Sequence, residues 1–304
     1  MQPPWLISLS GYILCFDFEF EYSQETEMNK SEKPDEIAAP IKWHGGKTYL
    51  AARIIEMMPE HTHYIEPYFG GGAVFFRKPD SLIAGHSEII NDLFGELVNF
   101  WKILQSNTHF GELERRMNLT PFGKPEWEES LESTSENPVD RACAFFIRYR
   151  QSRQGLGNAF ATMSKTRTRR GMNEQVSSWL SAVEGLPVAH ERLKRVVIFC
   201  EDAVKLIRQE DDPKSFFYCD PPYLTETRSA KEAYSFEMTN AQHSELLECL
   251  GCLSGKFLLS GYPNSLYDAA ADKFGWNRVD IMIDNKASSL KSKPKKTECV
   301  WSNY

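Results

Sequence analysis

The sequence predicts an α/β fold, a doubly wound sheet interrupted by a mostly helical insertion. Three observations carry this. A strand, a glycine turn and the start of a helix follow one another at 63–76. Short apolar runs of strand length occur before residue 100 and resume after 195. Between them, from about 105 to 185, the pattern is helical or irregular, without strand alternation. The expected organisation is a tail at 1–38, a sheet domain made of 39–100 and 186–304, and an insertion at 101–185.

The elements follow in order. Leu50, Ala51, Ile54, Ile55 and Met58 recur at helical spacing over 48–58, and Pro59 stops them. His63, Tyr64 and Ile65 read as a short strand. It runs into Glu66, Pro67, Tyr68, Phe69, Gly70, Gly71 and Gly72, and Ala73, Val74, Phe75 and Phe76 then start a helix. Glu88, Ile89 and Ile90 form a second strand that ends at Asn91 and Asp92. A helix continues through Leu93, Leu97, Val98, Trp101 and Leu104. Strands resume at 196–199, 216–219 and 257–259, and the alternating runs 279–283 and 298–301 predict a hairpin. No internal repeat is visible.

Composition narrows the class. The 304 residues suffice for a sizeable core, and 41% hydrophobic content is ordinary for a folded domain. No run of 18 apolar residues occurs, so no membrane span is expected. The apolar stretch at 5–18 lacks a basic segment before it and does not read as a signal peptide. The stretch 17–36 is acidic, polar and expected to be disordered, and Met28 is an alternative start. The net charge of −7 argues against a nucleic-acid partner only while that tail is counted. Without it, 34 acids face 33 bases, and local charge decides. Seven scattered cysteines suggest reduced thiols in a cytosol. Cys249 and Cys252 sit in a helical pattern with no second pair, and His61 and His63 lack a partner cluster, so no metal site is expected.

Four stretches carry chemistry. Gly70, Gly71 and Gly72 let backbone approach a ligand closely at a helix start. Gly70 and Gly72 fit the first two places of a dinucleotide fingerprint, but Phe75 takes the third, so a nucleoside cofactor without a pyrophosphate fits better. Asp92, ending the second strand, suits ribose hydroxyls and equally suits a helix N-cap. Asp220, Pro221, Pro222 and Tyr223 follow a buried aromatic strand. The prolines end the ladder and hold the acid and the tyrosine on a stiff segment at the strand end, where open α/β sheets bind ligands. Finally, Arg141, Arg148, Arg150, Arg153, Lys165, Arg167, Arg169 and Arg170 occur with no acid in 141–170. Gln151, Gln154 and Asn158 are interleaved, a mixture suited to phosphate contact and base reading. A second basic stretch, Lys286, Lys291, Lys293, Lys295 and Lys296, is a flexible loop or another phosphate contact, and the solvated loop is favoured.

Taken together, IKWHGGKTYL at 41–50, YIEPYFGGGAVFF at 64–76, NDLFGELVNF at 91–100, ED at 201–202 and DPPY at 220–223 resemble the Dam-like DNA adenine-N6 methyltransferases, closest to phage and prophage members. The likeness covers about 40 to 304 and includes the order of the motifs. It implies a Rossmann-like methyltransferase sheet, S-adenosylmethionine as cofactor, no metal, and double-stranded DNA as partner. A monomer in the cytoplasm of a bacterial or phage-infected cell is the expectation, with the oligomeric state left open by the sequence. Restriction protection, replication marking and defence evasion all use this chemistry. By the resemblance, Trp43, Lys47, Glu66, Phe69, Gly70, Gly71, Gly72, Asp92, Asp202 and Asp220 would surround the cofactor. His44 and Ala203 depart from residues common in the family at those places. Asp220 and the Pro221 carbonyl would accept the two N–H bonds of a flipped adenine amine, Pro222 would stiffen the segment, and Tyr223 would offer a stacking face. Arg148, Arg150, Arg153, Gln154, Lys165, Arg167, Arg169 and Arg170 would meet DNA.

Two other readings remain at this stage. One keeps the chemistry and changes the acceptor to RNA, since a basic surface does not separate RNA from DNA by charge. Related tetrapeptides of the form N-P-P-Y and S-P-P-Y serve glutamine and cytosine, and Asp220 favours adenine over both. The other is a catalytically silent DNA-binding protein of the same fold.

Overall fold

A computed structural model describes residues 37–227, 237–284 and 295–304, all within the compact unit Pro34–Tyr304. The acidic stretch 17–36 and Lys286, Lys291 and Lys293 lie outside the described residues.

Helix α1 (Ala51–Glu56) is shorter than the 48–58 expected from periodicity. Its last bonds run from the Met57 and Met58 amides to carbonyls only three residues back, so the chain tightens and leaves the helix ahead of Pro59. Strand β1 (His63–Glu66) follows. The helix expected from Ala73 shrinks to a single 3₁₀ turn, Phe75–Arg77. Pro79 disfavours helical backbone at Lys78, which is extended (φ −60°, ψ 131°), and the glycines leave no room to begin earlier.

Next come β2 (Ser87–Asn91), α2 (Gly95–Gln105), α3 (Phe110–Leu119), α4 (Lys124–Glu132) and α5 (Pro138–Arg150). Helix α5 starts where it does because Asn137 caps the Val139 and Asp140 amides and Pro138 is the first helical residue. A short ribbon, β3 (Thr168–Arg169) with β4 (Met172–Asn173), interrupts the helices. No strand was expected there, because two residues per strand are too few to show alternation. Its turn takes Arg170 and Gly171 to φ 55° and 74°, the twist that two-residue hairpins favour. Helices α6 (Glu174–Glu184) and α7 (Leu186–Leu193) lead back to β5 (Val197–Phe199), α8 (Ala203–Gln209), β6 (Ser215–Cys219), α9 (Asn240–Gly251), β7 (Lys256–Gly261), α10 (Ser265–Phe274), β8 (Asn277–Asp284) and β9 (Lys295–Ser302).

The main sheet runs β5-β2-β1-β6-β7-β9-β8. The first five strands are parallel, and β9 enters antiparallel between β7 and β8. This is a mixed α/β architecture with a parallel-rich central sheet, consistent with a methyltransferase fold. Alternation sorts side chains to two cores. Tyr64, Phe216, Tyr218, Leu258 and Val300 join the core shared with α1, α2, α3, α5, α6 and α7. Ile65, Phe217, Cys219, Leu259 and Trp301 join the core shared with α8, α9 and α10. Strand β6 is buried at every residue because helices cover both faces, which is why its sequence is a continuous apolar run. The chain reverses its direction of winding between β1 and β6, so a crevice is expected at their carboxyl ends.

A buried ionic cluster ties the β1–β2 connection to α7. Glu88 on β2 accepts a fork from Arg192 at 2.6 and 2.7 Å and a bond from Lys78 at 2.9 Å. Lys78 lies 3.5 Å from the Tyr64 ring centre and Arg192 lies 3.8 Å from that of Phe75. Burial alone would push the Glu88 carboxyl up, but the bonds from Arg192 and Lys78 outweigh it and hold the group below its ordinary range.

Candidate active site

The expected crevice is present. Trp43, Lys47, Glu66, Phe69, Gly70, Gly71, Gly72, Asp92, Asp202 and Asp220 line one cleft. Its walls come from the segment before α1, the loop after β1, the ends of β2 and β6, and the start of α8.

The glycine loop has a packing reason as well as its place in the cleft. A Cβ on Gly70 would come within 2.7 Å of the Trp43 ring, and one on Gly71 within 2.6 Å of the Trp43 Cβ. One on Gly72 would come within 2.5 Å of Phe69. Gly70 and Gly72 also have φ of 50° and 67°, which other residues adopt at a cost. Trp43 is pinned on its other side by Tyr149, with ring centres 5.0 Å apart. The loop around Gly155 presses on the same segment, where a Cβ would come within 2.3 Å of the Lys42 carbonyl oxygen.

Asp92 joins this loop to the entry of α2. Its Oδ2 accepts from the Gly70 amide at 2.9 Å and its Oδ1 from the Phe94 amide at 3.0 Å. Burial raises its pKa and these backbone bonds oppose the rise. A carboxylate has about four acceptor positions, so both oxygens keep capacity toward the cleft. Asp202 caps α8, accepting from the Lys205 amide at 2.8 Å. Sequence reasoning gave Asn91 no role, yet it staples the cleft floor. Its amide donates to the Pro67 and Glu201 carbonyls at 3.0 Å each and its oxygen accepts from the Glu201 amide at 3.0 Å.

Glu66 is buried and accepts from the Tyr64 hydroxyl at 2.8 Å. Burial pushes its pKa up to about 8; the Tyr64 bond works against this and the nearby Asp220 charge adds to it. Burial thus favours its neutral acid form.

Alternation on β6 places Tyr218 and then Asp220 on the same face as Tyr64 and Glu66. Both Asp220 oxygens lie 2.8 Å from Lys47 Nζ, and Oδ1 is buried with no hydrogen bond of its own. Pro222 lines the cleft, while Pro221 and Tyr223 are buried beside it. The Tyr223 hydroxyl donates to Glu298, another residue that sequence reasoning missed. The signal was there: Glu298 and Val300 alternate with Cys299 and Trp301, so a strand apolar on both faces carries an acid pointing inward. Met238 and Gln242, also at the cleft, had no signal.

The basic residues divide. Arg148 donates to the Gly157 carbonyl at 2.9 Å. Arg150 donates to the Ser178 carbonyl at 2.9 Å, and burial pulls its pKa down to about 10. Arg170 forks onto Glu184 at 2.9 Å twice. Arg153, Gln154, Lys165, Arg167 and Arg169 are exposed, with Arg167 3.7 Å from Glu174. Among the described residues no group of three or more His, Cys, Asp and Glu is arranged to hold a metal ion.

Comparison with known proteins points to one family. A family model described as D12 class N6 adenine-specific DNA methyltransferase matches residues 43–284. The chain is 28% identical over 279 residues to the Type II methyltransferase M1.LlaDCHI of Lactococcus lactis subsp. cremoris, covering 86% of this chain and 94% of that protein. It is 28% identical over 211 residues to the DNA N-6-adenine-methyltransferase of Escherichia phage P1, covering 66% of this chain and 26% of the phage protein. It is 24% identical over 240 residues to the DNA adenine methylase of Salmonella typhi, covering 74% and 81%.

Proposed function

The chain belongs to the D12 class N6 adenine-specific DNA methyltransferases, and we propose that it transfers the methyl group of S-adenosylmethionine to the exocyclic amine of an adenine flipped out of duplex DNA, in the cleft between Asp92 and Asp220. One observation supports this reading above the others. A buried carboxylate oxygen, Asp220 Oδ1, which is ion-paired with Lys47 at 2.8 Å but makes no hydrogen bond, stands in the same cleft as a glycine loop and a second carboxylate with acceptor capacity to spare. A diol-bearing nucleoside and an N–H donor suit that acceptor-rich set.

The cofactor, when bound, supplies an electrophilic methyl carbon on a sulfonium. The residues do the rest. Asp92 accepts from the ribose hydroxyls, and the Gly70 to Gly72 backbone leaves room beside them. Asp220 and the Pro221 carbonyl each accept one N–H of the adenine amine. That localises the nitrogen lone pair, which is otherwise delocalised into the ring, and aims it at the methyl carbon. The transfer would exchange the methyl–sulfur bond for the new N–C bond, leaving a neutral thioether, and the amine would give up one proton, which Asp220, as a carboxylate accepting that N–H, could take.

The helices and ribbon of 101–185 form the target-recognition surface in this reading, and the protein acts as a monomer. Arg167 and Arg169 stand on or beside the ribbon with their charges exposed. Arg150 is spent on Ser178 and supports the surface from within. Replacing Arg167 or Arg169 by alanine is expected to reduce the slope of log affinity against log salt by about 1. Arg150→Ala is expected to leave the slope unchanged and lower thermal stability. Filter binding of duplex DNA across a salt series checks both.

The cofactor half is tested by titration calorimetry. Asp92→Ala is expected to weaken S-adenosylmethionine by about 10–100-fold, since hydrogen bonds to a charged group are worth about 1.5–3 kcal/mol each. Unchanged affinity would remove Asp92 from the cofactor site.

A further inference from the structure

We propose that Glu298 is a positioning residue for methyl transfer: it fixes the Tyr223 ring and, through Lys47, holds the Asp220 carboxylate in its amine-accepting orientation. This rests on the reading of Asp220 as the amine acceptor. Glu298 lies outside the 43–284 segment that the family model matches.

The placement follows from strand geometry. Strand β9 runs antiparallel to β7, with Cys299 opposite Gly261 and Val300 opposite Ser260. Glu298 is therefore one step beyond the carboxyl end of β7, level with the segment that leaves β6. Val300 and Ser260 share a face with Tyr218, so Glu298, two residues before Val300, points to that face as well. The side chain is 1% exposed. A carboxylate buried so deeply is tolerated only when paired. Its partners are the Tyr223 hydroxyl, which donates to it, and Lys47 Nζ at 3.7 Å.

Lys47 is the shared part. One ammonium lies 2.8 Å from both Asp220 oxygens, 3.7 Å from Glu298, 3.1 Å from the Gly45 carbonyl oxygen and 4.7 Å from the Tyr223 ring centre. Tyr262 closes on the Tyr223 ring edge-on, with centres 4.6 Å apart. Tyr223 is thus fixed at its hydroxyl, over its face and at its edge. Asp220 is fixed by a cation that Glu298 holds from behind. Without Glu298 the tyrosine loses its acceptor, and the attraction of Lys47 to Asp220 is no longer balanced by a second carboxylate.

The test is a double-mutant cycle on purified full-length protein, reading kcat and the KM for S-adenosylmethionine on duplex DNA. Glu298→Ala is expected to lower kcat by about 10²-fold, as for loss of one preorganised group, with KM changing by less than about threefold. Glu298→Gln keeps a carbonyl for the Tyr223 hydroxyl and is expected to recover about tenfold of that loss. Tyr223→Phe added to Glu298→Ala is expected to cost little more, because the two act as a unit. If Glu298→Ala does not fold, the same cycle with Glu298→Gln decides: non-additive kcat losses support the proposal, and additive ones overturn it. Wild-type kcat in Glu298→Ala, or a loss confined to thermal stability, also overturns it. An Asp220→Ala control with full activity would instead sink the underlying reading of Asp220 and leave the two failures distinct.

Discussion

Asp220→Ala is expected to lower the methyl-transfer rate by about 10³-fold while the protein stays folded. The carboxylate is one of two acceptors proposed for the adenine amine, and its Oδ1 has no other hydrogen bond. Removing it leaves the Pro221 carbonyl alone to orient the nucleophile, so the lone pair returns to the ring and the attack geometry loosens. The fold survives because Lys47 retains the Gly45 carbonyl and Glu298. Cofactor affinity is expected to fall by at most about tenfold, or about 1.4 kcal/mol, since Asp92 and the glycine loop are untouched. Asp220→Asn keeps the shape and one acceptor oxygen and should fall between the two. Single-turnover methylation with labelled cofactor measures the step itself. A rate near wild type would remove Asp220 from the chemistry.

Glu88→Gln is expected to destabilise the protein by about 3–5 kcal/mol, the cost of breaking a buried ion pair from one side. Two cations depend on this one carboxylate, and neither has another carboxylate within bonding distance among the described residues. Burial already pulls the Lys78 pKa down to about 8, with Glu88 opposing the fall. Without Glu88, Lys78 is expected to lose its proton, whereas Arg192 cannot. None of Glu88, Lys78 and Arg192 lines the cleft, and the cluster reaches it through Tyr64 and Glu66, so kcat of the folded fraction should change less than stability does. Urea unfolding reads the effect as a lower midpoint at unchanged slope. A loss below about 1 kcal/mol would mean that the cluster is solvated enough to behave as a surface pair.

Much of the architecture was legible because strands here are short, apolar and sharply bounded. Phe216 to Cys219 could only be a buried strand, and the alternation at 298–301 gave the hairpin partner. The helix expected after Gly72 was lost to a proline seven residues on, a local rule that outweighed the general strand–turn–helix pattern. The ribbon at 168–173 was invisible to periodicity, although Arg170 and Gly171 mark its turn.

The cleft residues were legible in part because glycines, a strand-ending aspartate and the proline pair each announce a local constraint. What the sequence could not show was which glycine contact mattered. Gly70 and Gly71 were read as clearance for a ligand, and they also give clearance to Trp43. The basic segment 141–170 read as one surface, but its arginines divide between solvent and internal carbonyls. Charge composition does not reveal where a side chain points. Asn91 acts across 110 residues and Glu298 across 75, and such pairs arise only when the sheet assembles.

In the proposed reaction the cleft between Asp92 and Asp220 methylates adenine N6 in duplex DNA, with Asp220 accepting from the amine. Mass spectrometry of nucleosides tests it most directly, after incubating unmethylated duplex DNA with the protein and labelled S-adenosylmethionine. Label is expected in N6-methyladenine from the wild type and, over the same incubation, at about 10³-fold lower rate from Asp220→Ala. Label in N4-methylcytosine, or no labelled nucleoside from wild-type protein that binds the cofactor, would contradict the claim.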